Sequence, residues 1–176
     1  MDLKVGVIGT GGIGQEHIRR LTNVITGAKV TAVSDINEGT AQKIAEKYGA
    51  KFYKTGEEVI NAPEVDAVVI ASWDQTHAGY VLESIKLGKY VFCEKPLATT
   101  ADECKDIMNA EIQSKRHLVQ VGFMRRFDRG YRELKEIIKS GKLGSTLMIH
   151  ACHRNLTHIP SHTTAVSYTH LRAHET

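Results

Sequence analysis

The chain has 176 residues, a net charge of +3, 41% hydrophobic residues and 24% charged residues, a composition typical of a globular domain. The small charge and the lack of a dense Lys/Arg run argue against nucleic-acid or membrane-surface binding. No apolar run reaches the roughly 20 residues that cross a bilayer. Since a strand pattern begins at residue 3, no secretory leader is expected, and widely spaced Cys93, Cys104 and Cys152 suggest reduced thiols in the cytoplasm.

Strand patterns and helix patterns alternate along the chain. The predicted strands are Lys4–Gly9, Ala28–Asp35, Lys51–Tyr53, Val65–Ser72, Lys89–Glu94, His117–Phe123 and Thr146–Arg154. The predicted helices are Gly12–Val24, Asn37–Gly49, Gly56–Asn61, Gln75–Leu87, Thr100–Ser114 and Phe127–Ser140. Alternation of this kind predicts an α/β fold with a doubly wound parallel sheet, which is a Rossmann domain.

A glycine-rich loop follows the first strand in the stretch GVIGTGGIGQEH. Gly9, Gly11 and Gly14 form the pattern G-x-G-x-x-G, in which the glycines allow a tight turn, close approach of a pyrophosphate and close helix–strand packing. Asp35 ends the second strand about 20 positions later, where a carboxylate binds the adenosine ribose and repels a 2′-phosphate. NAD is therefore predicted over NADP. The alternative is a glycine-rich turn followed by a helix-capping Asp.

The cofactor prediction also includes the remaining loop residues Gly12 and Ile13, and residues at the end of the fourth strand. Ligands of such sheets bind outside the carboxyl ends of the strands, which places Ser72, Trp73 and His77 beside the cofactor. A second interpretation is that Thr76 or Asp74 caps the next helix and that Trp73 fills a gap. Both interpretations can hold together.

The fifth predicted strand ends in a lysine, in the stretch YVFCEKPLATT. An ammonium group at the end of a buried strand needs a partner or a function. Pro96 keeps Lys95 extended, and this directs the ammonium toward the same crevice. The structural alternative is an ion pair between Lys95 and Glu94 or another carboxylate.

The stretches GVIGTGGIGQEH, SDIN, ASWDQTHAGY, FCEKPLATT and VGFMRRFDRGY together resemble the Gfo/Idh/MocA oxidoreductase family, in particular its inositol dehydrogenases. The resemblance covers residues 1–164. It implies a Rossmann domain followed by an α/β domain with a large open sheet, and a homotetramer in the full-length protein. It also implies hydride transfer between a polyol, with myo-inositol expected, and NAD.

The same resemblance implies roles for individual residues. Lys95 would lie beside the nicotinamide and the reacting hydroxyl as a catalytic and substrate-binding residue, and Glu94 would help to place the nicotinamide. Arg125 would contact the polyol, Met124 would line its pocket, and Asn155 would return near the substrate. The family's catalytic Asp and His lie beyond the matching stretch, so the chain alone is expected to be inactive.

The domain organisation expected from these patterns has three parts. Residues 1–122 form the Rossmann domain, residues 123–164 begin a substrate and oligomerisation domain, and residues 165–176 lack periodicity and are expected to be a non-native tail. No metal is expected, because His150 and His153 would point to opposite faces of a strand. An inositol dehydrogenase, a relative acting on another inositol isomer or sugar, and a non-catalytic NAD-binding module all remain open.

Overall fold

The computed structural model describes residues 2–150 and residue 152. The chain divides into two compact units, residues 1–125 and residues 126–176. The first unit therefore extends three residues past the predicted limit at residue 122. Every predicted site residue except Asn155 lies in this first unit, and Asn155 lies outside the described residues.

Six parallel strands form one sheet in the first unit. They are β1 (Leu3–Ile8), β2 (Ala28–Ser34), β3 (Lys51–Phe52), β4 (Ala67–Ile70), β5 (Tyr90–Cys93) and β6 (Val119–Val121). Their spatial order is β3-β2-β1-β4-β5-β6. The chain reverses its direction of travel across the sheet between β1 and β4, and the carboxyl ends of strands at such a point form a ligand crevice.

The helices are α1 (Gly12–Asn23), α2 (Glu38–Tyr48), α3 (Gly56–Asn61), α4 (His77–Lys86), α5 (Ala101–Ser114) and α6 (Arg129–Lys139). Side-chain caps explain several of their starts. At the start of α2, the Asn37 side chain accepts a hydrogen bond from the backbone N–H of Thr40. Helices α3 and α5 begin with capping boxes at Thr55 and Thr100. These contacts satisfy amide groups that have no partner within the helix.

Helices cover both faces of the sheet. On one face, Val5, Val7 and Val33 pack with Ile18 of α1 and Ile44 of α2. The opposite face is formed by a larger buried cluster that includes residues of α3, α4 and α5, among them Ile60, Val81 and Ile107. The alternation of side chains along each strand divides the core in this way. The predicted doubly wound fold is confirmed.

Two predicted elements differ from the structure by more than a residue or two at their ends. The helix expected over Gln75–Leu87 begins with a 3-10 turn at Asp74–Thr76, and α4 proper starts at His77. The strand expected from Thr146 is wrong for its described part, because residues 146–150 belong to no helix or strand. A strand needs a neighbour for its backbone hydrogen bonds, and no strand pairs with this segment among the described residues.

None of the helices within residues 2–150 combines the length with the apolar character that a helix needs to cross a bilayer.

Ser34 carries a buried hydroxyl that has no hydrogen-bond partner within the described residues. Because an unpaired buried hydroxyl destabilises the folded state, we expect Ser34→Ala to raise the free energy of unfolding by up to about 1 kcal/mol. Ser84→Ala is the matched control, since the Ser84 hydroxyl is also buried but donates to Tyr80 O at 2.7 Å.

In this control the lost hydrogen bond and the higher helix propensity of Ala nearly cancel, so its stability should stay within about 0.5 kcal/mol of the parent. Urea unfolding followed by circular dichroism measures both variants. A clear loss of stability in Ser34→Ala would contradict the prediction.

Candidate cofactor and active site

The glycine loop after β1 is built around two close approaches of backbone. Gly9 has a φ of +94°, and a Cβ at this position would lie 2.5 Å from the carbonyl oxygen of Ala71. A Cβ on Gly14 would collide with the carbonyl oxygen of Gly9. The loop can therefore turn tightly and pack α1 against β1 only with glycine at both positions.

The opposite side of this loop is open. A Cβ on Gly11 or Gly12 would meet no other atom within 4 Å. Gly11 is the N-cap of α1 without a side-chain hydrogen bond, the first turn contains no acidic residue, and the Ile13 side chain is exposed. Free amide groups and the positive end of a helix dipole suit a pyrophosphate. The described residues fit the phosphate groups of NAD.

Asp35 is fixed at the carboxyl end of β2. Its Oδ2 accepts hydrogen bonds from the backbone N–H of Thr10 at 2.5 Å and from the Thr10 hydroxyl at 3.1 Å, and its Oδ1 accepts the backbone N–H of Asn37 at 2.8 Å. The carboxylate thus joins the glycine loop to the end of β2. The alternative that Asp35 caps α2 is wrong, because Asn37 is the N-cap residue.

The turn after β4 is held by hydroxyl groups. The Ser72 Oγ lies 2.8 Å from the Thr76 Oγ1, which donates to the carbonyl oxygen of Trp73 at 2.6 Å. Thr76 is the N-cap residue of α4, as one alternative expected, but its side chain makes no capping hydrogen bond, and the Asp74 carboxylate accepts a hydrogen bond from the backbone N–H of Gln75. Trp73 does not fill a gap either, since its side chain is 54% exposed.

His77 occupies a different environment from the one expected for a cofactor contact. The residue is 1% exposed. Its Nδ1 lies 2.6 Å from the carbonyl oxygen of Pro96, and its Nε2 lies 3.1 Å from that of Ser72. A neutral imidazole donates to one of these oxygens and a protonated ring to both. Both ring nitrogens therefore face protein backbone.

The Glu94 carboxylate connects β5 to α1. Its Oε1 lies 2.9 Å from Nε2 of His17, and its Oε2 accepts the backbone N–H of Lys95 at 3.3 Å. The hydrogen bond with His17 is the main cause that lowers the pKa of Glu94, and it outweighs the opposing effect of burial. Glu94 is therefore an ionised, largely buried carboxylate at neutral pH.

Lys95 is exposed. Among residues 2–150 and 152 its ammonium has no hydrogen-bond acceptor and no ion-pair partner within 4.0 Å, and its charge contributes only a small lowering of the pKa of Glu94. The structural alternative of a Glu94–Lys95 ion pair is thus wrong, because the Glu94 carboxylate pairs with His17 instead. The ammonium is therefore exposed and available to a ligand.

Cys93 immediately precedes Glu94 and Lys95 in the chain. The thiol is fully buried, and burial raises its pKa to about 12. Because the thiolate is the reactive form of cysteine, Cys93 is a neutral core residue at neutral pH.

The end of β6 lies next to the end of β5. The backbone N–H of Gly122 donates to the carbonyl oxygen of Cys93 at 2.7 Å, and the exposed residues Met124 and Arg125 follow in a 3-10 turn. They lie at the same sheet edge as Lys95. The described residues contain no group of three or more His, Cys, Asp or Glu side chains able to hold a metal ion, and His153 lies outside them.

Sequence reasoning missed two residues of this site. Thr10 fixes Asp35, and His17 binds Glu94 across 77 positions of sequence. The signal for Thr10 was its place inside the glycine loop. His17 lies three positions after Gly14 on α1, and no local pattern indicated which strand end it would reach.

Comparisons with known proteins show which family and which solved structures this chain is similar to. A family model described as the Gfo/Idh/MocA oxidoreductase family with an NAD-binding Rossmann fold matches residues 3–123. Inositol 2-dehydrogenase 3 of Saccharopolyspora erythraea is 54% identical over 157 residues, which is 89% of this chain and 46% of the relative. The chain thus spans about half the length of the curated relatives it matches.

Two solved structures from Lactobacillus casei show the same fold. Myo-inositol dehydrogenase in complex with NAD(H) and myo-inositol has a TM-score of 0.78 and 44% identity, covering 82% of this chain and 43% of its own. Scyllo-inositol dehydrogenase with bound NAD(H) and scyllo-inositol has a TM-score of 0.77 and 27% identity, with the same coverage. From its sequence, its strand order and these matches, the chain belongs to the Gfo/Idh/MocA family of NAD-binding oxidoreductases.

Proposed function

We propose that this chain is the cofactor-binding part of an NAD-dependent polyol dehydrogenase that oxidises myo-inositol to 2-keto-myo-inositol (scyllo-inosose). The observation that carries the proposal is the sheet edge where an open glycine loop, the fixed carboxylate of Asp35 and the exposed ammonium of Lys95 follow three strands of one Rossmann sheet. The names of the similar proteins support an inositol as substrate.

Cofactor binding is assigned to the residues after β1, β2 and β4. The backbone of Gly11, Gly12 and Ile13 would bind the pyrophosphate at the N-terminus of α1. Asp35 would accept hydrogen bonds from the ribose hydroxyls and repel a 2′-phosphate, which favours NAD over NADP. Ser72 and Trp73 would line the crevice beside the cofactor.

NAD supplies the hydride acceptor when bound. Lys95 would donate a hydrogen bond to the oxygen of the reacting hydroxyl and stabilise the negative charge that grows there as the proton leaves. Met124 and Arg125 would orient the polyol, and Asn155, which lies outside the described residues, is a further candidate for substrate binding. The proton acceptor is expected to be a histidine, paired with an aspartate, in a part of the protein that the described residues do not include.

Several features of the whole protein belong to the same proposal. The reduced state of Cys93, Cys104 and Cys152 suits the cytoplasm, and a homotetramer is proposed for the full-length enzyme. Another inositol isomer is the second candidate substrate, since one similar structure contains scyllo-inositol. Turnover of NAD with each inositol isomer, measured on a protein that includes the remaining half of the relatives' length, separates the two.

Cofactor binding can be tested directly on this chain, because Trp73 is its single tryptophan and lies at the end of β4. We expect NADH to quench Trp73 fluorescence and to bind at least about 10-fold more tightly than NADPH. Asp35→Ala should weaken NADH binding by about 10-fold or more, because hydrogen bonds to a charged group are lost, and should reduce the preference for NADH.

Asp106→Ala, which removes an exposed carboxylate on α5, is the matched control and should bind like the parent. A folded chain that fails to bind NADH at about 1 mM, where even weak complexes form, would reject the proposed function.

A further inference from the structure

The segment Glu94–Pro96 is attached to the protein on both sides of its exposed lysine. Glu94 donates its backbone N–H to the carbonyl oxygen of Ile70 at 2.9 Å, which continues the β4–β5 pairing. Beyond this bond, side chains from two different helices bind the segment, and both are histidines. His17 belongs to α1 and His77 is the first residue of α4.

On the α1 side, the Glu94 carboxylate forms a bridge. One oxygen contacts the His17 ring at 2.9 Å and the other accepts the backbone N–H of Lys95 at 3.3 Å. The side chains of His17 and Glu94 are 24% and 19% exposed, and the ring of His17 packs edge-on against Phe92 with centroids 5.2 Å apart. The His17 ring therefore orients the carboxylate that binds the backbone of Lys95.

On the α4 side, the contact is to the residue that follows Lys95. The buried His77 ring lies 2.6 Å from the carbonyl oxygen of Pro96 and 3.1 Å from that of Ser72. One ring thus connects the turn after β4 with the segment after β5. The backbone is bound immediately before and immediately after Lys95, while the lysine side chain itself is exposed.

We propose that His17 and His77 are positioning residues that fix the backbone of the Glu94–Pro96 segment, so that the Lys95 ammonium faces the cofactor crevice. A group that is held in place before reaction loses less freedom when it meets the reacting atoms. The proposal rests on the proposed function, because that function gives Lys95 its place beside the nicotinamide. Neither histidine contacts the reacting atoms in this role.

The test is residue-resolved hydrogen exchange on the 176-residue chain. His17→Leu should speed exchange of the Lys95 amide by about 10-fold, because the orienting hydrogen bond is lost. His17→Gln should restore most of the protection, since its amide can donate to the carboxylate. Amides of β4 should exchange within about threefold of the parent in both variants, since global stability is not the cause.

His77 is tested through the amide of Lys95, which donates to the Glu94 carboxylate, because Pro96 has no amide hydrogen. His77→Leu should speed exchange at Lys95 by about 10-fold, with β4 again unchanged, and His77→Gln should recover part of the protection. If His77→Leu does not fold, the Gln variant and the His17 pair still decide the matter. Parent-like exchange at Lys95 in the folded Leu variants, or an equal acceleration in β4, would overturn the proposal.

A second measurement separates this inference from the proposed function. The rate at which an amine-reactive reagent modifies Lys95 is measured by peptide mass spectrometry with and without NADH. NADH should slow labelling of Lys95 in the parent by about 10-fold. At saturating NADH, this protection should fall to about twofold in His17→Leu and should persist in His17→Gln. No protection in the parent rejects the proposed function, whereas equal protection in parent and His17→Leu rejects only the positioning role.

Discussion

Replacement of Lys95 by Met is expected to lower kcat by about 100- to 1,000-fold in a protein that carries this sequence with the remaining half of its relatives' length. Methionine keeps the length of the side chain but removes the ammonium that would stabilise the developing charge on the substrate oxygen. Because Lys95 has no ion-pair partner among the described residues, its replacement leaves no buried charge behind. Stability and NADH affinity should therefore stay close to those of the parent.

Lys86→Met is the matched control. Lys86 is an exposed lysine on α4 with a surface ion pair to Glu83 at 4.0 Å, and such pairs contribute little to stability. This variant should keep parent turnover. Steady-state kinetics with myo-inositol and NAD, together with fluorescence titration of NADH, measure both quantities. Turnover of Lys95→Met within a few-fold of the parent would exclude a catalytic role for this residue.

Replacement of Gly14 by Ala is expected to have the second large effect. The new Cβ would collide with the carbonyl oxygen of Gly9, so the turn and the N-terminus of α1 must move apart. Overpacking of this kind costs about 1–3 kcal/mol of stability. Because the displaced amide groups are those assigned to the pyrophosphate, we expect NADH affinity to fall by about 100-fold as well.

Two glycine variants separate stability from binding. Gly11→Ala adds a Cβ where nothing lies within 4 Å, so it should fold like the parent but bind NADH about 10-fold or more weakly if the pyrophosphate occupies that space. Gly39→Ala, near the start of α2, adds a Cβ whose nearest atom, Asn37 Oδ1, lies at an ordinary contact distance of 3.7 Å. It should raise stability by up to about 1 kcal/mol and leave binding unchanged. Parent-like NADH affinity in Gly11→Ala would contradict the assignment of the phosphate site.

The fold was largely predictable because its signals are local. Residues 67–70 are uninterrupted Ala, Val and Ile, which is how a strand covered on both faces appears, and Gly49 ends α2 in the left-handed conformation that glycine favours. Several strands were predicted one or two residues too long at their carboxyl ends, as at Gly9, Ser72 and Glu94, because the sequence pattern does not mark the last paired residue of a strand. The strand expected at Thr146 depended on a pairing partner that local patterns do not reveal.

Only part of the site could be predicted from the sequence. The positions after the strands follow from the fold alone, since parallel strands bring their carboxyl ends to one edge, and Asp35 and Lys95 were found in this way. The side-chain partners of these residues could not be predicted from the sequence. His17 and Glu94 are far apart in the chain and meet only after β1 and β5 take their places in the sheet. The alternative of an ion pair between Lys95 and Glu94 is wrong for the same reason, since Glu94 pairs with His17.

The chemical inertness of Cys93 has a practical consequence for work on this chain. Its thiol is enclosed and stays protonated at neutral pH, whereas Cys104 is half-buried and Cys152 is exposed. Thiol-directed dyes and spin labels therefore react with Cys104 and Cys152 rather than with Cys93, so the cysteine that precedes Glu94 and Lys95 need not be removed first. The native chain thus carries a ready attachment point for spectroscopic probes, and β5 keeps its original packing.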